Sequence, residues 1–138
     1  MRGQTHTYSP DNVVVALGAH VPSGFAADNF ITINPLGDGV TDEAGADGEV
    51  VVNVSTDPRY EVKMAFLYGS ETNDWMLNKY NVFRENPSSG FFSITINDLG
   101  DNPLFSATKA WITKQSQVSY GLKGASQEWT IHCIGKLG

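Results

Sequence analysis

Residues 45–75 read GADGEVVVNVSTDPRYEVKMAFLYGSETNDW, and this stretch decides the predicted fold. From residue 49 to 55 the valines at even positions point to one side and the intervening residues to the other, which is the period of a β-strand. A Thr-Asp-Pro turn follows, and the alternation resumes from residue 59 to 66. We therefore predict that the two segments pair as one long β-hairpin with matched apolar faces.

A helix is predicted immediately after that hairpin. Ser70 or Thr72 can cap its first turn, and the Asn-Pro pair at residues 86–87 ends it. Several apolar side chains between these points recur at helical spacing, so we expect them to pack the helix against a sheet. They are Trp75, Met76, Tyr80 and Phe83.

The rest of the chain contains short strand patterns separated by turn signals. These further segments are residues 12–17, 30–34, 90–97, 104–113, 115–120 and 127–134. Residues 1–138 fit one domain, predicted as a mainly-β sandwich or barrel of about seven antiparallel strands with one flanking α-helix. We expect the segments 12–17 and 30–34 to pair as an opening hairpin, and residues 1–11 to form an N-terminal arm.

Residues 36–48, LGDGVTDEAGADG, predict a long acidic loop with little apolar content. The acids from Asp38 to Glu49 have a spacing similar to that of an EF-hand calcium loop, but Glu43 stands where that loop needs Gly, and no helices flank it. An acidic surface loop is therefore the favoured interpretation. Because few apolar side chains offset the cost of ordering it, we expect the loop to be mobile in an isolated subunit.

Charge is distributed unevenly along the chain, whose net charge is −6. No Lys or Arg occurs between Gly3 and Pro58, a stretch that holds eight acids, whereas acids and bases nearly balance from Arg59 onward. A protein that grips nucleic acid needs clustered Lys and Arg. The distribution therefore argues against nucleic-acid binding.

The sequence contains no recognisable catalytic or metal-binding constellation. His6, His20 and His132 are scattered, and no zinc, phosphate-loop or nucleophile motif occurs. Cys133 is the single cysteine, which excludes an intramolecular disulfide and indicates a buried apolar side chain. We predict that the protein is not an enzyme and needs no cofactor and no metal.

No targeting signal is evident either. Met1 and Arg2 lead into a polar stretch, unlike a secretory signal. No apolar run approaches the roughly 20 residues that cross a membrane. We expect a protein made in a cytoplasm and without a membrane partner.

Several short motifs occur together in one order. They are the GADGE turn at residues 45–49, the S-x-x-N-D helix start at 70–74, Asp98-Leu99-Gly100, Ala110-Trp111-Ile112 with Lys114, and Glu128-Trp129. With the polar-faced hairpin they extend over most of the chain, from about Val13 to Cys133. In this order and spacing the chain resembles a family of small phage tail proteins, the tail tube proteins of myovirus-like tails.

The resemblance implies a non-enzymatic structural protein of the virion, located in the tail and made in the host cytoplasm. Such proteins are β-sandwiches flanked by a helix, and they assemble as stacked hexameric rings around the channel for DNA ejection. The implied partners are further copies of the chain, the tail sheath of a contractile tail, the tape measure, and baseplate or terminator proteins. DNA would pass transiently and without sequence preference, so acids should outnumber bases over the channel wall as a whole.

This interpretation assigns two assembly sites. The acidic loop is expected to project toward the adjacent ring and to become ordered on assembly, while the polar face of the predicted hairpin is expected to line the channel. The expected inter-ring contact residues are Asp38, Asp42, Glu43, Asp47 and Glu49. The lumen candidates are Asn53, Ser55, Arg59, Glu61 and Lys63.

Two other functions stay open on the sequence alone. One is the inner tube of a secretion system, of the type VI-like or contractile injection kind, which differs in what passes through the tube. The other is a carbohydrate-binding β-sandwich module with an aromatic platform, although core packing is the favoured interpretation of the aromatic side chains. These side chains are Trp75, Phe92, Trp111 and Trp129.

Overall fold

A computed structural model describes residues 9–10, 13–26, 30–98, 104–117 and 125–137. This part of the chain forms eight β-strands and one α-helix, with a short 3₁₀ turn at Pro87–Ser89. The elements are β1 (Val13–Leu17), β2 (Ile31–Pro35), β3 (Val40–Ala44), β4 (Val50–Val54), β5 (Arg59–Phe66), α1 (Glu71–Glu85), β6 (Phe92–Asp98), β7 (Phe105–Lys114) and β8 (Gln127–Leu137). The predicted mainly-β fold with one flanking helix is confirmed.

Six strands form one antiparallel sheet in the order β1-β6-β7-β8-β5-β2. Within it, β5 pairs with β8 from Arg59 opposite Ile134 to Phe66 opposite Gln127. β3 and β4 form a separate two-stranded sheet. The chain leaves the main sheet at the end of β2 and returns at the start of β5, so the β3–β4 hairpin is inserted between two neighbouring strands.

Two predicted strand pairings are wrong. The segment 49–55 does not pair with the segment 59–66, because β4 pairs with β3 while β5 lies between β8 and β2. The segments 12–17 and 30–34 do not form a hairpin, because β1 and β2 are opposite edges of the six-stranded sheet. Alternation shows which side of a strand is apolar, but several strands with similar faces compete for each partner.

The predicted structureless loop at residues 36–48 is also wrong, because it contains β3. The Gly45 amide donates to the Glu49 carbonyl at 2.7 Å, and the Glu49 amide donates to the Asp47 carboxylate at 3.1 Å. These bonds close a tight turn between β3 and β4. The segment is exposed and acidic, as predicted, but its turn chemistry joins two strands, and its mobility in an isolated subunit stays a prediction.

Two smaller predictions concern segments that lie partly outside the described residues. Of the predicted strand 115–120, residues 115–117 are not in a strand, and residues 118–120 lie outside the described part of the chain. Most of the predicted arm at residues 1–11 also lies outside it. The arm therefore stays a prediction.

The inner face of the six-stranded sheet carries the hydrophobic core. Trp129, Ile131 and Cys133 alternate along β8 and are buried. Val62 and Met64 lie on β5 beside them and are fully buried. Burying a side chain such as Val or Met stabilises a fold by about 1.5–3 kcal/mol relative to leaving it exposed. The central β5–β8 pair therefore contributes much of the stability of the domain.

Helix α1 packs against this inner face. Met76 is fully buried in the core, and Tyr80 is half-buried against it. Trp75 is half-buried and meets Phe92 edge-on, with ring centres 5.2 Å apart. Phe83 lies farther along the helix and meets Phe91 edge-on at 5.2 Å.

Side-chain hydrogen bonds fix the start of the helix. The Ser70 hydroxyl accepts from the Thr72 amide at 3.2 Å, so the predicted Ser70 cap is confirmed. The sequence patterns did not predict the hydrogen bonds that the Asn73 side chain makes. Its side-chain oxygen accepts from the Trp129 indole N–H at 3.0 Å, and its side-chain nitrogen donates to the Leu67 carbonyl at 3.1 Å. Asn73 thus joins the first turn of the helix to the centre of the sheet.

Replacing Met76 with Asp is expected to destabilise the fold, because it buries an unpaired carboxylate in a fully buried position. We expect a loss of about 3 kcal/mol or more in the free energy of unfolding, measured by urea titration. Asn78→Asp is the matched control, since Asn78 is exposed on the same helix and should change that value by less than about 0.5 kcal/mol. An unchanged melting temperature of the Met76→Asp variant would contradict the packing of this helix face.

Candidate assembly surface

The β3–β4 hairpin stands away from the core, and every residue from 38 to 54 is exposed. Residues that face each other across an antiparallel pair share one side of the hairpin. The register places four valines on one side, each between 61% and 71% exposed. This apolar hairpin face is formed by Val40, Val50, Val52 and Val54, with Asp42 and Ala44 beside them.

An exposed apolar face on a two-stranded sheet is unusual for a soluble protein that binds no partner there. A lone two-stranded hairpin is marginally stable in water, and it gains independent stability when an apolar face packs against something. Among soluble proteins, contiguous exposed apolar surface marks an interaction site. The apolar hairpin face therefore makes the hairpin a candidate surface for assembly.

The hairpin is also uniformly acidic, since residues 38–55 contain no Lys or Arg. Its opposite side carries Thr41, Glu43, Val51 and Asn53. The expected contact acids are therefore spread over both sides, the turn and the base of the hairpin. They lie as follows: Asp38 before β3, Asp42 and Glu43 on β3, Asp47 in the turn, and Glu49 before β4.

The neck of the hairpin, residues 36–39 and 55–59, connects it to β2 and β5 of the main sheet. The Leu36 amide donates to the Arg59 carbonyl at 3.0 Å. The Arg59 guanidinium donates two hydrogen bonds, each of 2.9 Å, to the two carboxylate oxygens of Asp57. These side-chain bonds, followed by the bond from the Arg59 amide, lower the pKa of Asp57 from 3.8 to about 2. These bonds define the conformation of the neck at the start of β5.

The structure does not bring the five lumen candidates to one face. Asn53 belongs to the hairpin and Ser55 to its neck. Arg59, Glu61 and Lys63 alternate on β5, on the side opposite the buried Val62 and Met64. The split follows from the pairing of β4 with β3.

The outer face of the six-stranded sheet is more basic than the chain as a whole. Glu61 contacts Lys63 at 3.7 Å and His132 at 3.4 Å, while the Lys109 ammonium lies 4.2 Å from the centre of the Phe91 ring. The acid excess is therefore carried by the hairpin. On this outer face the described charged side chains of β5, β7 and β8 are the bases Arg59, Lys63, Lys109, Lys114 and Lys136 and the acids Glu61 and Glu128.

The described residues show few features that could support metal binding or nucleophilic chemistry. No group of three or more His, Cys, Asp or Glu side chains among them is placed to hold a metal ion. Burial raises the pKa of the Cys133 thiol to about 11, which keeps it protonated and unreactive. No helix in the described part of the chain is long and apolar enough to span a membrane.

The aromatic candidates do not form one exposed platform. Phe92 and Trp129 are buried in the core, as core packing predicted. Trp75 is stacked with His20, with ring centres 4.9 Å apart, and Trp111 is half-buried beside Phe91. This arrangement does not favour the carbohydrate-binding alternative.

Comparison with known proteins links the chain to phages and related machines. It is 28% identical over 140 residues to structural protein ORF10 of Pseudomonas phage KPP10, covering 95% of this chain and 80% of that protein. No protein-family model matches the chain.

Two solved structures share the fold. A chain in the cryo-EM structure of the anti-feeding prophage cap, the AFP tube terminating cap, has a TM-score of 0.60 at 13% identity, covering 99% of this chain and 93% of that chain. A chain in the extended PVC sheath–tube complex of an extracellular contractile injection system has a TM-score of 0.57 at 14% identity, with coverages of 94% and 88%. At such identities these similarities show a common fold over nearly the whole length of each chain.

The Asp57–Arg59 pair predicts an acid-dependent loosening of the neck. Because the pKa of Asp57 in the folded protein lies below its ordinary value of 3.8, the pair contributes its full stabilisation above pH 3.8. This stabilisation is lost as the pH falls toward about 2. Carboxyl-carbon NMR of Asp57 should report a midpoint near pH 2. In an Arg59→Gln control the midpoint should rise toward 3.8. Identical midpoints in the two proteins would show that the guanidinium does not hold this carboxylate.

Proposed function

We propose that this protein is a non-enzymatic structural subunit of a phage tail, and that its copies form the tail tube. The relative named as a phage structural protein supports the first part of this proposal. The shared fold with chains of a tube terminating cap and of a sheath–tube complex supports the second. The resemblance of the motifs in this sequence to tail tube proteins agrees with both.

The observation that carries the proposal is the apolar hairpin face. Four exposed valines on a projecting hairpin have a physical reason if they are covered in an assembly. Fully burying a Val contributes about 1.5 kcal/mol or more, so several such contacts repeated around a ring add up to a stable interface.

In the proposed tube, the subunits form stacked hexameric rings, and the β3–β4 hairpin of each subunit contacts the adjacent ring. The five hairpin acids surround that contact. The outer face of β5, with Arg59, Glu61 and Lys63, lines the channel for DNA ejection. Sheath, tape measure, and baseplate or terminator proteins are the further partners, and the virion tail is the location.

A second candidate function is a cap that closes the end of a tube, since one fold neighbour is described as a tube terminating cap. A third is the inner tube of a contractile injection system, since the other neighbour is a sheath–tube complex. A cap should form a single ring and stop, whereas a tube protein should extend. Electron microscopy of the purified protein separates the cap from the two tube functions.

Replacing Val50, Val52 and Val54 together with Thr should abolish or strongly shorten the tubes seen by electron microscopy. Threonine keeps the strand propensity and the shape of valine but removes much of its apolar contact. The monomer should stay folded, because these side chains are exposed. Val51→Thr is the matched control: it makes the same change on the other side of the same strand and should leave assembly nearly intact. Normal tubes from the triple variant would refute the assembly role of the hairpin.

The channel assignment has a separate test in a cryo-EM map of the assembled tube. We expect Glu61 and Lys63 to face the lumen, and hairpin acids to give the wall its net negative charge, since the outer face of the described sheet is itself basic. Acid excess would keep phosphates from being held during passage. A lumen whose bases outnumber its acids would contradict the argument from DNA passage and leave the tube assembly unaffected.

A further inference from the structure

We propose that the apolar hairpin face of one copy binds the apolar tip of a second copy, where the apolar tip is Val21, Leu67 and Tyr68. The inference rests on the proposed assembly function and names the surface that receives the hairpin. It follows from where the described residues expose apolar side chains and from the direction of β5.

The apolar tip is one site contributed by two segments. Val21 is 72% exposed, Leu67 50% and Tyr68 67%. The Leu67 amide donates to the Gly24 carbonyl at 2.7 Å, and the Ser70 hydroxyl donates to the Ser23 carbonyl at 2.6 Å. These bonds hold the segment after Val21 against the loop between β5 and α1, so the three exposed side chains lie at the same end of the domain.

The hairpin and the tip lie at opposite ends of the same strand. The hairpin joins β5 at Arg59, and the tip begins directly after Phe66. At about 3.3 Å per residue the strand separates them by roughly 26 Å, whereas the five-residue hairpin strands are only about 17 Å long. The hairpin strands are too short to span this distance, and the valines and the tip are both exposed within one chain. The inference assigns the cover of each surface to a second copy.

The polar groups around the tip suit an acidic hairpin. Tyr68 lines an open depression of about 250 Å³ with the amide side chains of Gln115, Gln117 and Gln127, and Asp74 is the one acid among its lining residues. A neighbouring depression shares Gln115 and Gln117, and it adds Lys63 and Lys114 together with Glu128. Amide and ammonium groups donate hydrogen bonds to carboxylates, so Asp42, the acid on the apolar side of the hairpin, finds donors beside the apolar contact.

Charge also decides between a tip and a second hairpin as the occupant. Two hairpins packed face to face would oppose the Asp42 carboxylates of the two copies and bring their other acids near, without any base from residues 38–55. Like charges opposed in this way destabilise a contact. A hairpin-to-tip contact avoids this repulsion. Because its two halves differ, it repeats from copy to copy, and such contacts build rings or open filaments instead of closed two-fold dimers.

The direct test is the double variant Leu67→Ser/Tyr68→Ser, which removes the apolar tip without touching the hairpin or the core. It should raise the protein concentration needed for assembly by about tenfold or more. Light scattering measures that concentration, and electron microscopy identifies the assemblies. Leu137→Ser is the matched control, since Leu137 is also 50% exposed, and it should assemble like the unmodified protein. If the tip variant assembles normally while the valine triple variant does not, the tip is not the partner and the proposed function stands. If both assemble normally, the inference and the proposed function fail together.

A cross-linking experiment tests the contact by the formation of a new bond between two chains. Val52→Cys and Tyr68→Cys are made in separate chains, which are mixed under assembly conditions with an added oxidant. We expect a disulfide between one chain of each kind, while Cys133 stays buried. Mixing Val52→Cys with Leu137→Cys is the control and should give no such product. Cross-links only between two Val52→Cys chains would show hairpin-to-hairpin docking and overturn the proposal.

Discussion

The pairing of β5 with β8 is the constraint on which the rest of the structure depends. It aligns the apolar sides of two long strands, so that Val62 and Met64 meet the core beside Trp129 and Ile131. Trp129 in turn binds the start of the helix, because its indole N–H donates a hydrogen bond to the side-chain oxygen of Asn73. Because this pair is central in the sheet, its direction also decides where the ends of β5 project, and those ends carry the hairpin and the apolar tip.

The β3–β4 hairpin differs from the six-stranded sheet in whether its apolar side is buried. The six-stranded sheet hides its apolar side against α1, whereas the β3–β4 hairpin leaves its valines in solvent. Its turn and neck are nevertheless well defined by backbone bonds and by the Asp57–Arg59 pair. A strand pair with an uncovered apolar side is suited to docking, because a partner that covers the valines removes apolar surface from water.

Charge separates the two parts of the molecule in the same way. The hairpin is acidic throughout, and the outer face of the main sheet is more basic than acidic over β5, β7 and β8. Charges of opposite sign on different surfaces of one chain favour contacts between copies and disfavour contacts between identical surfaces. Together with the phage relative and the shared fold of tube and cap structures, this separation fits a protein whose function is to assemble.

The sequence by itself determined the local features of this protein: the apolar sides of β4 and β5, the bounds and cap of the helix, the burial of Met76, and the acidity of residues 38–55. These follow from period, cap chemistry and composition, all of which act over a few neighbouring residues. Only the tertiary structure decided that β5 pairs with β8 and β2, that β4 turns back on β3, and that Asn73 bonds Trp129. Strand partners are chosen by competition among many similar apolar faces across the chain, and no local pattern records the result of that competition. The proposed assembly surface depends on that choice, because the pairing of β4 with β3 outside the main sheet leaves its valines exposed.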